Sequence, residues 1–164
     1  LIRDANPADA AAIAAIYNPY IADSTISFEE EAVSVEEMRT RVQGVQDGGL
    51  PWLVLEHDDG SIAGYAYATK WRVRHAYRFS VETTVYLAPA HGRKGHGTAL
   101  YVALLERLRA AGCHLAIAGI AQPNEASVAL HEKMGYRKVA HFSEVGFKFG
   151  RWVDVGYWEL KLAP

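Results

Sequence analysis

Residues 80–112 read SVETTVYLAPAHGRKGHGTALYVALLERLRAAG. The succession of strand, glycine loop and long helix in this stretch decides the fold class. From Ser80 to Leu87, Val81, Thr83, Val85 and Leu87 share one face of a strand, and Glu82, Thr84 and Tyr86 share the other. Pro89 to Lys94 reads as a loop. From Gly95 to Ala111, Leu100, Leu104 and Leu108 recur at helical spacing with Tyr101 and Leu105 beside them, and Gly112 is the C-cap. In Arg93-Lys94-Gly95-His96-Gly97-Thr98 the glycines let backbone N–H groups approach an anion. The helix N-terminus adds positive partial charge. A pyrophosphate is the natural occupant, and a plain turn is the competing reading. A P-loop needs Gly-Lys followed by Ser or Thr after a fixed spacer, which this loop lacks. A dinucleotide fold needs a third glycine near Leu100 and an acid about 20 residues on, and neither is present.

Outward from this stretch, the chain alternates strands and helices without repeat, low-complexity tract or linker. Asn6-Pro7 reads as an N-cap with proline at the first helical position. Ile13, Ile16, Tyr17 and Tyr20 follow at helical spacing, and Pro19 is expected to end or kink that helix near Asn18. A second helix opens at Ser34, with Glu37 completing a capping box and Met38, Val42 and Val45 on one face. Trp52 to Glu56 and Ile62 to Ala68 are strands around the Asp58-Asp59-Gly60 turn. Beyond the central helix come a strand from His114 to Ala121 and a helix capped by Asn124 that Gly135 ends. Two late strands, Tyr136 to Phe142 and Trp152 to Leu162, flank a Gly-rich hairpin. The order βααβββαβαββ predicts an α/β (α+β) fold with one mixed sheet and helices on its faces.

Composition agrees. The chain has 164 residues, 50% hydrophobic and 22% charged, which at roughly 150 residues per domain predicts one domain spanning 1–164. Such a chain buries roughly 70% of its unfolded surface, enough for a core without disulfides. Seventeen Lys and Arg against nineteen Asp and Glu leave a net charge of -2, so no global field draws nucleic acid or anionic lipid. No apolar run approaches the roughly 20 residues of a spanning helix. A single cysteine, Cys113, cannot form an internal disulfide, and the expected location is the cytoplasm. The start at Leu1 has no initiator Met and reads as cropped.

Strand, G-x-G loop and helix, followed by a strand and Asn124 to Tyr136, resemble the GCN5-related N-acetyltransferase (GNAT) superfamily. Its loop signature is Gln or Arg, two residues, Gly, one residue, then Gly or Ala. Gly95 and Gly97 match it, whereas Gly92 stands at the first position with Arg93 beside it. Glu82-Thr83-Thr84-Val85-Tyr86, Leu130-His131-Glu132 before Gly135-Tyr136, and Gly146-Phe147-Lys148-Phe149-Gly150-Arg151-Trp152 with Asp154 look like the phosphinothricin and methionine sulfoximine acetyltransferases. Ile16-Tyr17-Asn18 and the Trp71 loop fit too, so the likeness spans essentially the whole chain. It implies a mixed, mostly antiparallel central sheet flanked by helices on both faces, acetyl-CoA as cosubstrate, and a homodimer. It also implies direct acetyl transfer to the α-amine of a small amino acid whose side chain ends in a tetrahedral phosphinate, sulfoximine or sulfone.

The resemblance also implies roles for particular residues. Backbone groups of Val85, Tyr86 and Leu87 would hold the pantetheine arm as an added strand. Arg93, Lys94, Gly95, His96, Gly97 and Thr98 would hold the pyrophosphate. Asn124 would be both N-cap and pantetheine ligand. Glu82, a carboxylate among Val and Thr, would be the general base, against the plainer reading of a salt-bridged strand residue. His131 or a nearby Tyr would protonate the thiolate, against a structural histidine. Lys70 to Arg78 interleaves cations with aromatics. It reads as a clamp for an anionic small molecule through Arg72, Arg74 and Arg78, with Phe28 and Tyr77 walling the aliphatic stem. A solvated loop and a single-strand nucleic-acid platform are the competing readings. His131-Glu132 is not a zinc motif, because the position four after His131 is Gly135, and no other histidine has ligand spacing, so no metal is expected. Cys113 reads as inert. A protein N-terminal acetyltransferase and a non-catalytic acyl-CoA-binding module stand as alternatives.

Overall fold

A computed structural model describes residues 1–89 and 95–162. The elements are β1 (Ile2–Asp4), α1 (Ala10–Asp23), α2 (Val35–Asp47), β2 (Trp52–Glu56), β3 (Ile62–Lys70), β4 (Ser80–Leu87), α3 (His96–Ala110), β5 (Leu115–Ala121), α4 (Glu125–Lys133), β6 (Arg137–Lys148) and β7 (Arg151–Lys161). The strands form one seven-stranded sheet in the order β1-β2-β3-β4-β5-β7-β6. Every neighbour pairs antiparallel except β4 with β5, which run parallel. This is the expected mixed, mostly antiparallel sheet.

The alternation of β4 divides the core. Val81, with Val85 and Leu87 behind it, packs with Leu100, Tyr101, Leu104, Leu105 and Leu108 of α3 on one face. Tyr86 instead joins Ile13, Ile16, Tyr17 and Ile21 of α1 and Met38 and Val42 of α2 on the other. One apolar stripe per helix, buried against one sheet face, is the arrangement an amphipathic period dictates.

Three local expectations are corrected. Pro19 neither ends α1 nor marks its last turn, because the helix continues to Asp23. Proline removes one donor, but beyond it Ile21 is buried and the Tyr20 hydroxyl donates to the Leu87 carbonyl at 2.5 Å, so packing holds the final turn. Ser34 does cap α2 by accepting from the Glu37 N–H, but the Glu37 carboxylate pairs with Arg41 instead of closing the box. The late hairpin is mostly strand rather than Gly-rich loop. Strands β6 and β7 run to Lys148 and Arg151 around a two-residue turn, Phe149-Gly150, both with positive φ as a type I′ turn requires.

Candidate active site

Strands β4 and β5 pair only at Ser80–Glu82 against Leu115–Ile117. Beyond Glu82, β4 stays with β3 as far as Leu87 and β5 stays with β7 as far as Ala121. The sheet therefore splits, and among the described residues one edge of residues 83–87 has no ladder partner. Into the split opens a narrow cleft of about 100 Å³, lined by Thr83, Thr84, Val85, Tyr86, Gly119, Asn124 and His131 among others. An unpaired strand edge is a template for an extended ligand.

On the α1–α2 face lies a larger hollow of about 490 Å³, walled by Tyr17, Phe28, Glu29, Glu82, Tyr86, Val155 and Tyr157. Ile26, Tyr86, Gly119 and Ala121 line both spaces, so the two meet there. Glu82 reaches this junction from β4, its Oε2 lying 3.5 Å from where a side chain on Gly119 would begin. Among the described residues no hydrogen bond or ion pair holds its carboxylate. Burial pushes its pKa above the ordinary carboxylate value, and the Arg72 charge opposes that rise.

Asn124 caps α4 by accepting from the Ser127 N–H at 3.2 Å, and it lines the cleft. His131, on the same helix, is 4% exposed. Its Nδ1 lies 2.7 Å from the Ser127 carbonyl and so carries the proton. Nε2 then accepts from the Tyr101 hydroxyl at 2.5 Å, and Thr83 links Tyr101 to Tyr136. Burial lowers its pKa. The ring is thus held neutral and ties α4 to α3, with its one N–H engaged.

At the start of α3, Gly95 has φ 76° and precedes the first helical turn. A Cβ on Gly97 would sit 3.1 Å from the Leu130 side chain, so α3 and α4 approach closely there and a larger residue would have to displace the Leu130 methyls. His96 and Thr98 follow in the same turn. Arg93 and Lys94 lie outside the described residues.

The basic loop divides. The Arg72 guanidinium lies 3.9 Å over the Trp71 ring, which meets Tyr157 of the larger hollow edge-on at 5.9 Å. Arg78 lies instead over Phe79 and lines a separate hollow with Lys70 and Cys113. Arg72, Arg74 and Tyr77 are all exposed and none is among the lining residues; Arg72 stands nearest through Trp71 and through its charge on Glu82. Phe28 does line the hollow. Cys113 is buried away from it, and burial raises its thiol pKa. Among the described residues no cluster of three His, Cys, Asp or Glu fits a metal.

The model of the acetyltransferase (GNAT) domain matches residues 2–156. The chain belongs to the GNAT family. It is 42% identical over 158 residues to a phosphinothricin N-acetyltransferase of Streptomyces viridochromogenes, covering 96% of this chain and 85% of that protein. It is 37% identical over 161 residues to the L-methionine sulfoximine/L-methionine sulfone acetyltransferase of Salmonella typhimurium, covering 98% and 94%. The structure of yncA from Salmonella typhimurium with its cofactor acetyl-CoA superposes with a TM-score of 0.96 at 37% identity, covering 99% and 94%. In this GNAT chain the reading of residues alone missed Tyr17, Glu29, Gly119, Val155 and Tyr157 as walls of the hollow. They are ordinary strand, helix and loop residues that only the sheet order brings together.

Proposed function

We propose that the protein moves acetyl from acetyl-CoA to the α-amine of a small amino acid of the phosphinothricin, methionine sulfoximine or methionine sulfone type. We propose further that residues 1–164 act as one domain, in the cytoplasm, as a homodimer. The observation that carries the reading is the junction where a desolvated Glu82 stands between the β4–β5 split and a hollow of amino-acid size. The named activities of the relatives support the substrate class.

In this scheme the pantetheine arm lies along Val85, Tyr86 and Leu87 and past Asn124. The pyrophosphate rests on the segment 93–98 at the start of α3, where N–H groups and the helix dipole favour an anion. Glu82 accepts a proton from the substrate ammonium, directly or through water, so that the free amine can attack the thioester carbonyl. A backbone N–H near Val85 stabilises the oxyanion. The C–N bond forms, the nitrogen gives up its second proton as the C–S bond breaks, and the thiolate takes up one proton, so the net proton released is the one accepted by Glu82. The neutral His131 ring has its one N–H engaged by the Ser127 carbonyl, so it would serve as the acid only after taking up a second proton, a form that a thiolate developing beside it favours. A nearby Tyr is the other candidate acid. Arg72 is the anchor for a substrate anion, Arg74 follows it on the exposed loop, and Phe28 walls the stem.

The test is thiol release from acetyl-CoA by the whole protein. Methionine sulfone, methionine sulfoximine and phosphinothricin should each release thiol in step with acetylated amino acid, while a peptide with a free N-terminus and a polyamine should release little. Release with the peptide alone, or with no amine at all, would overturn the reading.

A further inference from the structure

A lysine in a protein interior needs a reason, since an unpaired buried ammonium is costly. Lys148, near the end of β6, is 2% exposed. Its Nζ donates to three backbone carbonyls far away in sequence, Ile21 and Ser24 at 2.8 Å and Ser27 at 2.6 Å. The Ile21 carbonyl belongs to the last turn of α1, where carbonyls lack helical partners and the dipole favours a cation. The other two belong to the irregular segment between α1 and α2. That segment carries Ile26, Ser27, Phe28 and Glu29, four consecutive walls of the larger hollow.

Two residues before Lys148, on the same inward side of β6, Gly146 is buried beneath the Phe28 ring, and a Cβ there would run into the ring's edge. From within, the segment is held by the Tyr17 hydroxyl, which bonds Ser27 Oγ at 2.6 Å and the Glu29 carboxylate. Arg41 grips the same carboxylate with two bonds of 2.8 and 2.9 Å. Burial lowers the Lys148 pKa below the ordinary lysine value, and the charges of Glu30 and Glu29 oppose that shift.

We infer that Lys148 is a positioning residue that, with Gly146, moulds residues 24–29 into the wall of the acceptor hollow and so sets affinity for the amino-acid substrate. The inference rests on the acetyl-transfer reading for what the wall encloses. Lys148 itself lines neither space. Of the segment it holds only Ile26 borders the cleft, while Ile26, Ser27, Phe28 and Glu29 all wall the hollow, so its influence should fall far more on the acceptor than on acetyl-CoA.

The experiment compares Lys148→Met, which keeps the bulk and removes the three donors, and Gly146→Ala, which keeps the lysine and displaces Phe28. KM for methionine sulfone should rise about tenfold or more in Lys148→Met, the scale of lost charged hydrogen bonds, and should rise in Gly146→Ala through the displaced Phe28 wall. In both, KM for acetyl-CoA should stay within about twofold, since contacts confined to acceptor binding move one KM and leave kcat. Amide hydrogen exchange supplies a readout that does not depend on turnover. The N–H groups of Ile26 and Glu29, bonded to Ser24 and Ser27 side chains, should exchange faster in Lys148→Met, with those of β3 unchanged.

Parallel changes in both KM values, or faster exchange throughout, would make Lys148 a stability residue only and overturn the inference. So would unchanged exchange at 24–29 with unchanged acceptor KM. If Lys148→Met does not fold, the KM split in Gly146→Ala decides alone. A wild-type protein that acetylates no amino acid would sink the acetyl-transfer reading, while exchange at 24–29 would still decide whether Lys148 holds that wall.

Discussion

Glu82 carries the argument at the scale of one residue because its surroundings act on it in opposite senses. Burial favours the neutral acid, and the nearby Arg72 favours the carboxylate, with burial the larger. A base must be deprotonated to act, so kcat/KM should fall as pH drops through the free-enzyme pKa. That acid limb should lie above the ordinary glutamate value of about 4.3. Removing the opposing charge with Arg72→Ala should move the limb to higher pH still. Glu82→Gln should lower kcat by about 10² to 10⁴-fold, the usual contribution of a general base, with acetyl-CoA binding retained in calorimetry. Near-normal turnover in that variant at pH 7 would remove Glu82 from the mechanism. Glu82 was legible in the sequence because a carboxylate is out of place on a strand of Val and Thr. Glu29, Tyr17 and Tyr157 carried no such signal. Each is unremarkable in its own element, and 128 positions separate Glu29 from Tyr157 in a chain whose sheet order alone unites them.

At the scale of elements, the strand, loop and helix of 80–112 could be read directly, since a period of two and then of 3.6 is a local property. The boundaries that shifted were those settled by tertiary contact. Helix α1 passes through Pro19 because its last turn is packed against the sheet. The late strands run on through Gly146 because that glycine is a close-approach point under Phe28 and not a breaker. The split between β4 and β5 is a property of register that no local period shows; only the family resemblance, with an arm added along Val85 to Leu87, implies a free edge there. The start of α3 makes the anion site testable. Aspartate in a first helical turn ordinarily favours the helix by about 0.3–1 kcal/mol. Gly97 is buried, however, so in Gly97→Asp the carboxylate is desolvated and crowds Leu130, and the variant should melt at a lower temperature while remaining folded. The same carboxylate opposes a pyrophosphate at the helix N-terminus. Calorimetry on the folded variant should show acetyl-CoA affinity lowered by tenfold or more, about 1.4 kcal/mol. Full affinity in a folded Gly97→Asp protein would place the pyrophosphate elsewhere.

At the scale of the whole molecule, β6 is an edge strand, which leaves one side of a 12-residue strand without a ladder partner. Edges of this length usually carry charge or are covered. Here Phe142, Val145, Phe147, Phe149 and Trp152 are each more than half exposed, and Phe147 and Trp152 lie 4.8 Å apart as a ring pair. The expected interface from Phe147 to Trp158 narrows accordingly, since Val153, Val155 and Trp158 are buried within the chain itself. An apolar cluster of this kind marks a surface that another protein covers, and a second copy of the same chain can present it to itself across a two-fold axis. Light scattering at micromolar concentration should then give about twice the 18.1 kDa chain mass. Phe147→Glu combined with Trp152→Glu should return a single-chain mass with an unchanged circular dichroism spectrum. Wild-type protein that scatters as one chain would refute the dimer. Strand geometry adds a consequence, because successive side chains alternate: Phe147 points outward from the strand whose inward Gly146 and Lys148 hold residues 21–28. A partner resting on the outer face would steady the strand that shapes the acceptor wall, so the double glutamate variant should also bind the amino acid more weakly while its acetyl-CoA affinity is kept.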